Sequence, residues 1–364
     1  VTEAAVWLDR IRSLPLPARV RILNVCGGHE RSISQAGLRG VLPAEITLIP
    51  GPGCPVCVCP EADISAAIRL AQDRKNILVA FGDMLRVPAN VKKGELRSLA
   101  EARRDGADVR AIAAPQEARQ IARDNPARNV IFFVAGFETT AAPVAAMLAE
   151  GIPENLSLLL ALRRTWPAVA MLLDSEAPGF EGLIAPGHVA SVMGADEWRF
   201  VVSRHAMPTA VAGFTAAAVL AALHDVLVQI ISHRPKLENA YPAFVRPEGN
   251  RRAKDCMAEQ YEDFDADWRG IGAIPQSGFH LRPHLAAHDA RKQFADAIAG
   301  AAHSEAMPPG CDCARVVMGR ISPLECRLYG RACTPRTPIG PCMVSDEGAC
   351  HIWWSTGQRQ AVHA

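Results

Sequence analysis

Aromatic residues are scarce in this 364-residue chain, at 5% of the total. No basic stripe is interleaved with them, and the formal charge is only +1. That balance gives no electrostatic footing for nucleic acid or an anionic membrane. Long uncharged apolar runs are missing too. The nearest, Thr209 to Ile231, is broken by His224, Asp225 and Gln229 and reads as a buried helix rather than a bilayer span. The opening residues show no apolar stretch behind a basic start, so the expected location is cytoplasmic. The phosphate-binding P-loop, the glycine-rich dinucleotide fingerprint and the hydrolase nucleophile elbow are all absent.

Cysteine, by contrast, is abundant and uneven. Of 11 cysteines, four precede residue 60 and six follow residue 310. In a reducing compartment such clusters are metal ligands or redox groups more often than structural staples.

The length implies two or three domains. Apolar β-rich runs at Val20 to Val25, Glu45 to Pro50 and Asn76 to Phe81 alternate with helical spacing, as at Glu61 to Asp73. Val109 to Ala113 reads as a further short strand. Runs at Asn129 to Ala135, Leu156 to Leu162, Gly182 to Ala185 and Phe200 to Ser203 repeat the scheme, with a long helix expected from about Pro208 to Ser232. This pattern predicts an α/β fold: two similar domains with parallel sheets flanking a cleft. The expected limits are 15–115 and 116–235, with His233 to Arg252 as a connector. The remainder, 236–364 together with 1–14, is assigned to a third, cysteine-bearing domain.

Cys313, Cys326, Cys333 and Cys350 form a C-x12-C-x6-C-x16-C set, with Cys311 and Cys342 close by. The surrounding Gly/Pro-rich segment has too little periodicity for an apolar core, so a metal centre would hold it. Four thiolates suit a [4Fe–4S] cluster, and also zinc, although the paired C-x2-C knuckles of zinc ribbons are lacking. Gly53-Cys54-Pro55-Val56-Cys57 places a C-x-x-C between a strand and a helix, a position for thiol–disulfide chemistry or half a metal site. Cys59 just beyond reads as a bystander. Cys26-Gly27-Gly28-His29-Glu30 also follows a strand, and its Cys26 and His29 can meet a soft metal together. Glu138, in Gly136 to Thr140, and His188, after Pro186-Gly187, lie in further post-strand loops. Glu138 serves equally to start a helix, and His188 to satisfy a loop. The carboxylates Asp83, Asp174, Glu176 and those of Tyr261 to Asp267 read as solvated surface.

Six motifs in order carry a family resemblance: CGGHE (26–30), GPGCPVC (51–57), GFETT (136–140), PGHVASVMG (186–194), WRGIGAIPQSG (268–278) and CTPRTPIGPCMVSDEGAC (333–350). Together they resemble the HypD family of [NiFe]-hydrogenase maturation proteins over essentially the whole chain. The resemblance implies two α/β domains and a third carrying a [4Fe–4S] cluster. It implies a HypC-like chaperone as partner, a HypE-like protein as cyanide donor, and assembly of iron bearing cyanide and carbon monoxide. Cys26 would hold that iron, with His29 beside it. Cys54 and Cys57 would be the redox pair. Cys313, Cys326, Cys333 and Cys350 would be the cluster ligands, with Cys342 as a substitute ligand. The chain alone is expected to be a monomer, and a scaffold with redox activity rather than a metabolic enzyme. The alternative is a stand-alone iron–sulfur thiol–disulfide oxidoreductase; a zinc-stabilised binding module is a third reading. Two departures stand out: Arg31 where the family reads His after CGGHE, and Ala190 where a polar residue is common.

Overall fold

A computed structural model describes residues 2–92, 94–300 and 307–358. Eleven strands, β1 Val20–Asn24, β2 Ile46–Pro50, β3 Asn76–Phe81, β4 Val109–Ile112, β5 Asn129–Gly136, β6 Leu156–Leu162, β7 Gly182–Pro186, β8 Thr209–Ala212, β9 Leu237–Asn239, β10 Tyr261–Trp268 and β11 Gly272–Leu281, make three sheets. The first is parallel, in the order β2-β1-β7-β8-β9. The second is also parallel, in the order β4-β3-β5-β6. β10 and β11 form an antiparallel pair.

The expected α/β class with two parallel sheets is what the chain adopts. β6 is buried at every position and β5 at all but its first, because helices cover both faces. Each Leu or Phe sealed there contributes about 1.5–3 kcal/mol of burial free energy. Leu23, Val25 and Leu183 from the first sheet share one continuous core with Phe132, Val134 and Leu160 from the second.

The sheets do not follow the limits 15–115 and 116–235. The chain leaves the first sheet after β2, builds the whole second sheet from β3 to β6, and returns with β7 beside β1. An apolar run announces a strand but not its neighbour. The region assigned to the third domain is divided as well. β9 joins the first sheet, and β11 packs on β6 and on the helix Thr165–Leu173. The helix Glu3–Arg12 packs on the helix Ala216–Ser232, and its Ile11 joins the core beneath the first sheet.

Two local expectations differ. Phe200 to Ser203 belongs to a helix, Arg199–His205, since a four-residue β-branched run is too short to decide its own state. The helix expected from Pro208 is a strand, β8, then a turn at Gly213 to Thr215, then the helix Ala216–Ser232, whose N-terminus is capped by Thr215. No helix among the described residues is long and apolar enough to cross a membrane.

Candidate metal and thiol site

β1, β2, β7 and β8 lie side by side in the first sheet, so the segments that follow them gather at one edge. Ligand-binding groups in open parallel sheets collect at this carboxyl end. β1 delivers Cys26 to Glu30, β2 delivers Gly51 to Cys57, β7 delivers His188, and β8 delivers Phe214. His188, which the expected limits put in the second domain, stands at the end of the strand next to that of Cys26. Its ring stacks on Phe214 at 3.6 Å, and Phe214 stacks on His29 at 4.7 Å.

The Cys26 and Cys54 loops touch through glycine. A Cβ on Gly53 would sit 2.5 Å from the backbone of Cys26, and Gly27 N donates to Gly53 O at 3.2 Å. Cys54 and Cys57 are joined as a disulfide. Cys54 caps the short helix Pro55–Val58, its Sγ accepting from Cys57 N within that helix at 3.2 Å.

Cys26 is half-buried, and burial pushes its thiol up to about 12, against the pull of the His29 and Gly28 amides. Metal binding at this sulfur must therefore displace a proton. His29 is fully buried, which holds its imidazole down at about 4 and hence neutral. Its Nε2–H donates to Ala212 O at 3.1 Å, and Nδ1 has no partner among the described residues.

The C-terminal segment arrives at the same edge. Gly27 lies so close to it that a Cβ would come within 2.5 Å of Glu347 Cβ. The Trp353 indole N–H donates to Glu30 Oε1 at 2.6 Å. Glu30 also accepts from Asn24 at 3.0 Å and from Arg39 at 2.8 Å. Burial pushes the Glu30 carboxyl up, but Arg39 and these hydrogen bonds prevail and hold it below its ordinary range. Arg31 donates to the Asp346 carbonyl at 2.7 Å and so ties the CGGHE helix to the C-terminal segment. From the second sheet, Asp83 Oδ2 accepts from Ser345 Oγ at 3.2 Å and Asp346 N at 3.0 Å. Asp83 was read as solvated surface; its role depends on a segment 260 residues away, which no local signal reveals.

A narrow pocket is consequently lined by Asn24, Cys26, Cys54, Cys57, Cys342 and Glu347 together. Its accessible volume of about 10 Å³ is room for no more than one water. The thiols from both ends of the chain thus meet in one place.

Behind it lie the remaining cysteines. Cys313, Cys342 and Cys350 are buried, with their sulfurs all within 4.8 Å of one another. Cys342 is held well below the ordinary thiol range by hydrogen bonds from Cys313 and Cys350. Cys311 hydrogen-bonds to Cys313. Cys333 accepts from Ile339 N at 3.4 Å, and Cys326 is buried in the same layer. The triad therefore holds two members of the C-x12-C-x6-C-x16-C set together with Cys342, while Cys326 and Cys333 lie outside it. Three converging buried thiols, with Cys311, Cys326 and Cys333 in the same apolar cluster, fit an iron–sulfur cluster. The same set would also accept zinc.

Glu138 is not among the residues that line this pocket. It is fully buried, and its two oxygens accept from the Thr165 amide at 2.8 Å and the Thr165 hydroxyl at 2.7 Å. It thus caps the helix Thr165–Leu173. Burial raises its carboxyl to about 6. The sequence reading also missed a buried ionic group around Cys59: Glu61 pairs with Arg269 at 3.0 Å, and Asp63 pairs with Arg291 at 2.6 Å and Arg163 at 3.7 Å.

Comparison with known proteins gives a consistent picture. Residues 3–357 match the family model HypD, described as "Hydrogenase formation hypA family". The chain is 39% identical over 355 residues to the hydrogenase maturation factor HypD of Azotobacter vinelandii, covering 94% of this chain and 91% of that protein. It is 38% identical over 347 residues to the HypD of Rhodobacter capsulatus, covering 94% and 91%. With the HypD of Escherichia coli it shares 36% identity over 363 residues, covering 99% and 94%.

Proposed function

Because this chain belongs to the HypD family, we propose that it matures a hydrogenase by assembling the iron that carries cyanide and carbon monoxide. The observation that carries this reading is the pocket where Cys26, the Cys54–Cys57 pair and Cys342 meet. In this reading Cys26 holds the iron as cargo, shared with a HypC-like chaperone, and His29 stays neutral beside it. Thiolates suit low-spin iron bearing strong π-acceptor ligands. A HypE-like protein supplies cyanide as a thiocyanate. Releasing cyanide from a thiocyanate breaks a C–S bond and consumes two electrons. Oxidation of the Cys54 and Cys57 dithiol to the disulfide provides two electrons and frees two protons. A [4Fe–4S] cluster, when bound, supplies electrons singly. Its ligands are drawn from Cys313, Cys326, Cys333 and Cys350, with Cys342 as the substitute that the triad favours. The protein acts in the cytoplasm and is monomeric until its chaperone docks.

Anaerobic co-purification with a HypC-like partner, followed by infrared spectroscopy, tests the reading. Cyanide and carbonyl stretches are expected, and Cys26→Ala should abolish them while leaving the visible iron–sulfur band intact. Bands undiminished in that variant remove Cys26 from its role. Stoichiometric zinc without iron in the wild-type chain rejects the redox reading altogether. Single Ser replacements at Cys313, Cys326, Cys333, Cys342 and Cys350 assign the ligands, each true ligand being one whose loss bleaches the band.

A further inference from the structure

Arg269 belongs to the WRGIGAIPQSG segment, which the site described above leaves without a role. Its side chain is 1% exposed. Its backbone N–H donates to Val58 O at 3.0 Å, within the loop that carries Cys57 and Cys59. On the other side, a Cβ on Gly270 would lie 2.9 Å from Ala314 Cβ, next to Cys313. The residue is thus wedged between the disulfide helix Pro55–Val58 and the cysteine helix Cys313–Val317. Nη2 donates to Glu61 Oε2 at 3.0 Å and to Pro88 O at 2.9 Å. Nε and Nη1 are buried with no partner among the described residues.

Leaving two guanidinium nitrogens, with three N–H groups between them, unpaired in a dry interior is costly unless an acceptor arrives. A simple partner for Glu61 would need only the one nitrogen that already serves it. We propose that Arg269 is a positioning residue for the C-terminal metal site, a fixed buried cation that favours the reduced state of an iron–sulfur cluster held there. The inference rests on the cluster reading above. Reduction adds one electron and one unit of negative charge, with no bond made or broken. A cation in a low-dielectric setting stabilises that added charge, and donors toward cluster sulfur raise the potential in the same direction. The Cys59 thiol, raised to about 12 by burial, registers the field of Arg163, Arg269 and Arg291, which oppose that shift.

The test is an anaerobic redox titration of the full chain with dithionite at pH 8, followed by electron paramagnetic resonance, with iron counted per chain. Arg269→Gln should move the midpoint to lower potential. Glu61→Gln, which keeps an acceptor for Nη2–H but removes the compensating charge, should move it higher. Arg269→Lys should stay close to wild type. A purely structural role for Arg269 predicts no such opposed pair. Unchanged midpoints in Arg269→Gln and Glu61→Gln, with full iron content, overturn the proposal. Should Arg269→Gln fail to hold iron, Glu61→Gln decides alone, and a null or downward shift there overturns it. Wild-type chain that contains no iron rejects the cluster reading instead, and the metal count separates the two failures.

Discussion

At the scale of single residues, two buried groups titrate in opposite directions. His29 has its pKa lowered to about 4, so the unfolded chain binds a proton first as pH falls below about 6.5. Its contribution is present above that pH and is lost toward pH 4, to the extent of about 3 kcal/mol. Glu138 is raised to about 6, so its contribution is complete below its unfolded value and lost as pH rises through 6, by about 2 kcal/mol. Urea unfolding between pH 7 and 4 should show His29→Gln losing less stability on acidification than wild type, and Glu138→Gln losing more. Trp353 offers a pH-independent test. Its indole N–H donates to the Glu30 carboxylate, and a hydrogen bond to a charged group contributes about 1.5–3 kcal/mol. Trp353→Phe should destabilise by about 2 kcal/mol in urea unfolding. An effect below about 0.5 kcal/mol would make that bond incidental.

At the scale of elements, close approach matters more than propensity. Gly53→Ala forces a methyl against the Cys26 backbone, which cannot give way as a flexible side chain could. A loss of about 1–3 kcal/mol is expected from such overpacking. Gly40→Ala, in the helix Leu38–Val41 with nothing within 4 Å, should be neutral or slightly stabilising. Equal unfolding midpoints for the two variants would contradict the packing account. The same contrast shows what sequence could convey. Most strands were legible, because buried parallel strands are continuous apolar runs, as at Asn129 to Ala135 and Leu156 to Leu162. Their sheet membership was not, because β7 pairs with β1 across an inserted sheet. The cysteine loops were legible from residue type and from their place after strands. The pairing of Cys342 with Cys313 and Cys350, the cap that Glu138 makes, and the ion pairs around Cys59 all depend on contacts distant in sequence, where no local pattern reports.

At the scale of the whole molecule, residues 342–353 are held by both sheets at once. Glu30 and Arg31 grip them from the first, and Asp83 and Arg86 from the second. The same stretch supplies two of the three converging thiols. Stripping metal with a chelator should therefore raise amide hydrogen exchange not only within 307–358 but also at Gly27 to Glu30 and Gly82 to Arg86. Exchange confined to the cysteine segment would show that the contacts are independent. An arch behaves this way when its keystone is mortared from behind. While the keystone stays fixed neither flank can splay, and the small chamber beneath it admits nothing larger than water. Under the function proposed above, loading would then have an order: the rear set first, and the cargo iron seated only once a docking partner prised the front of the arch apart.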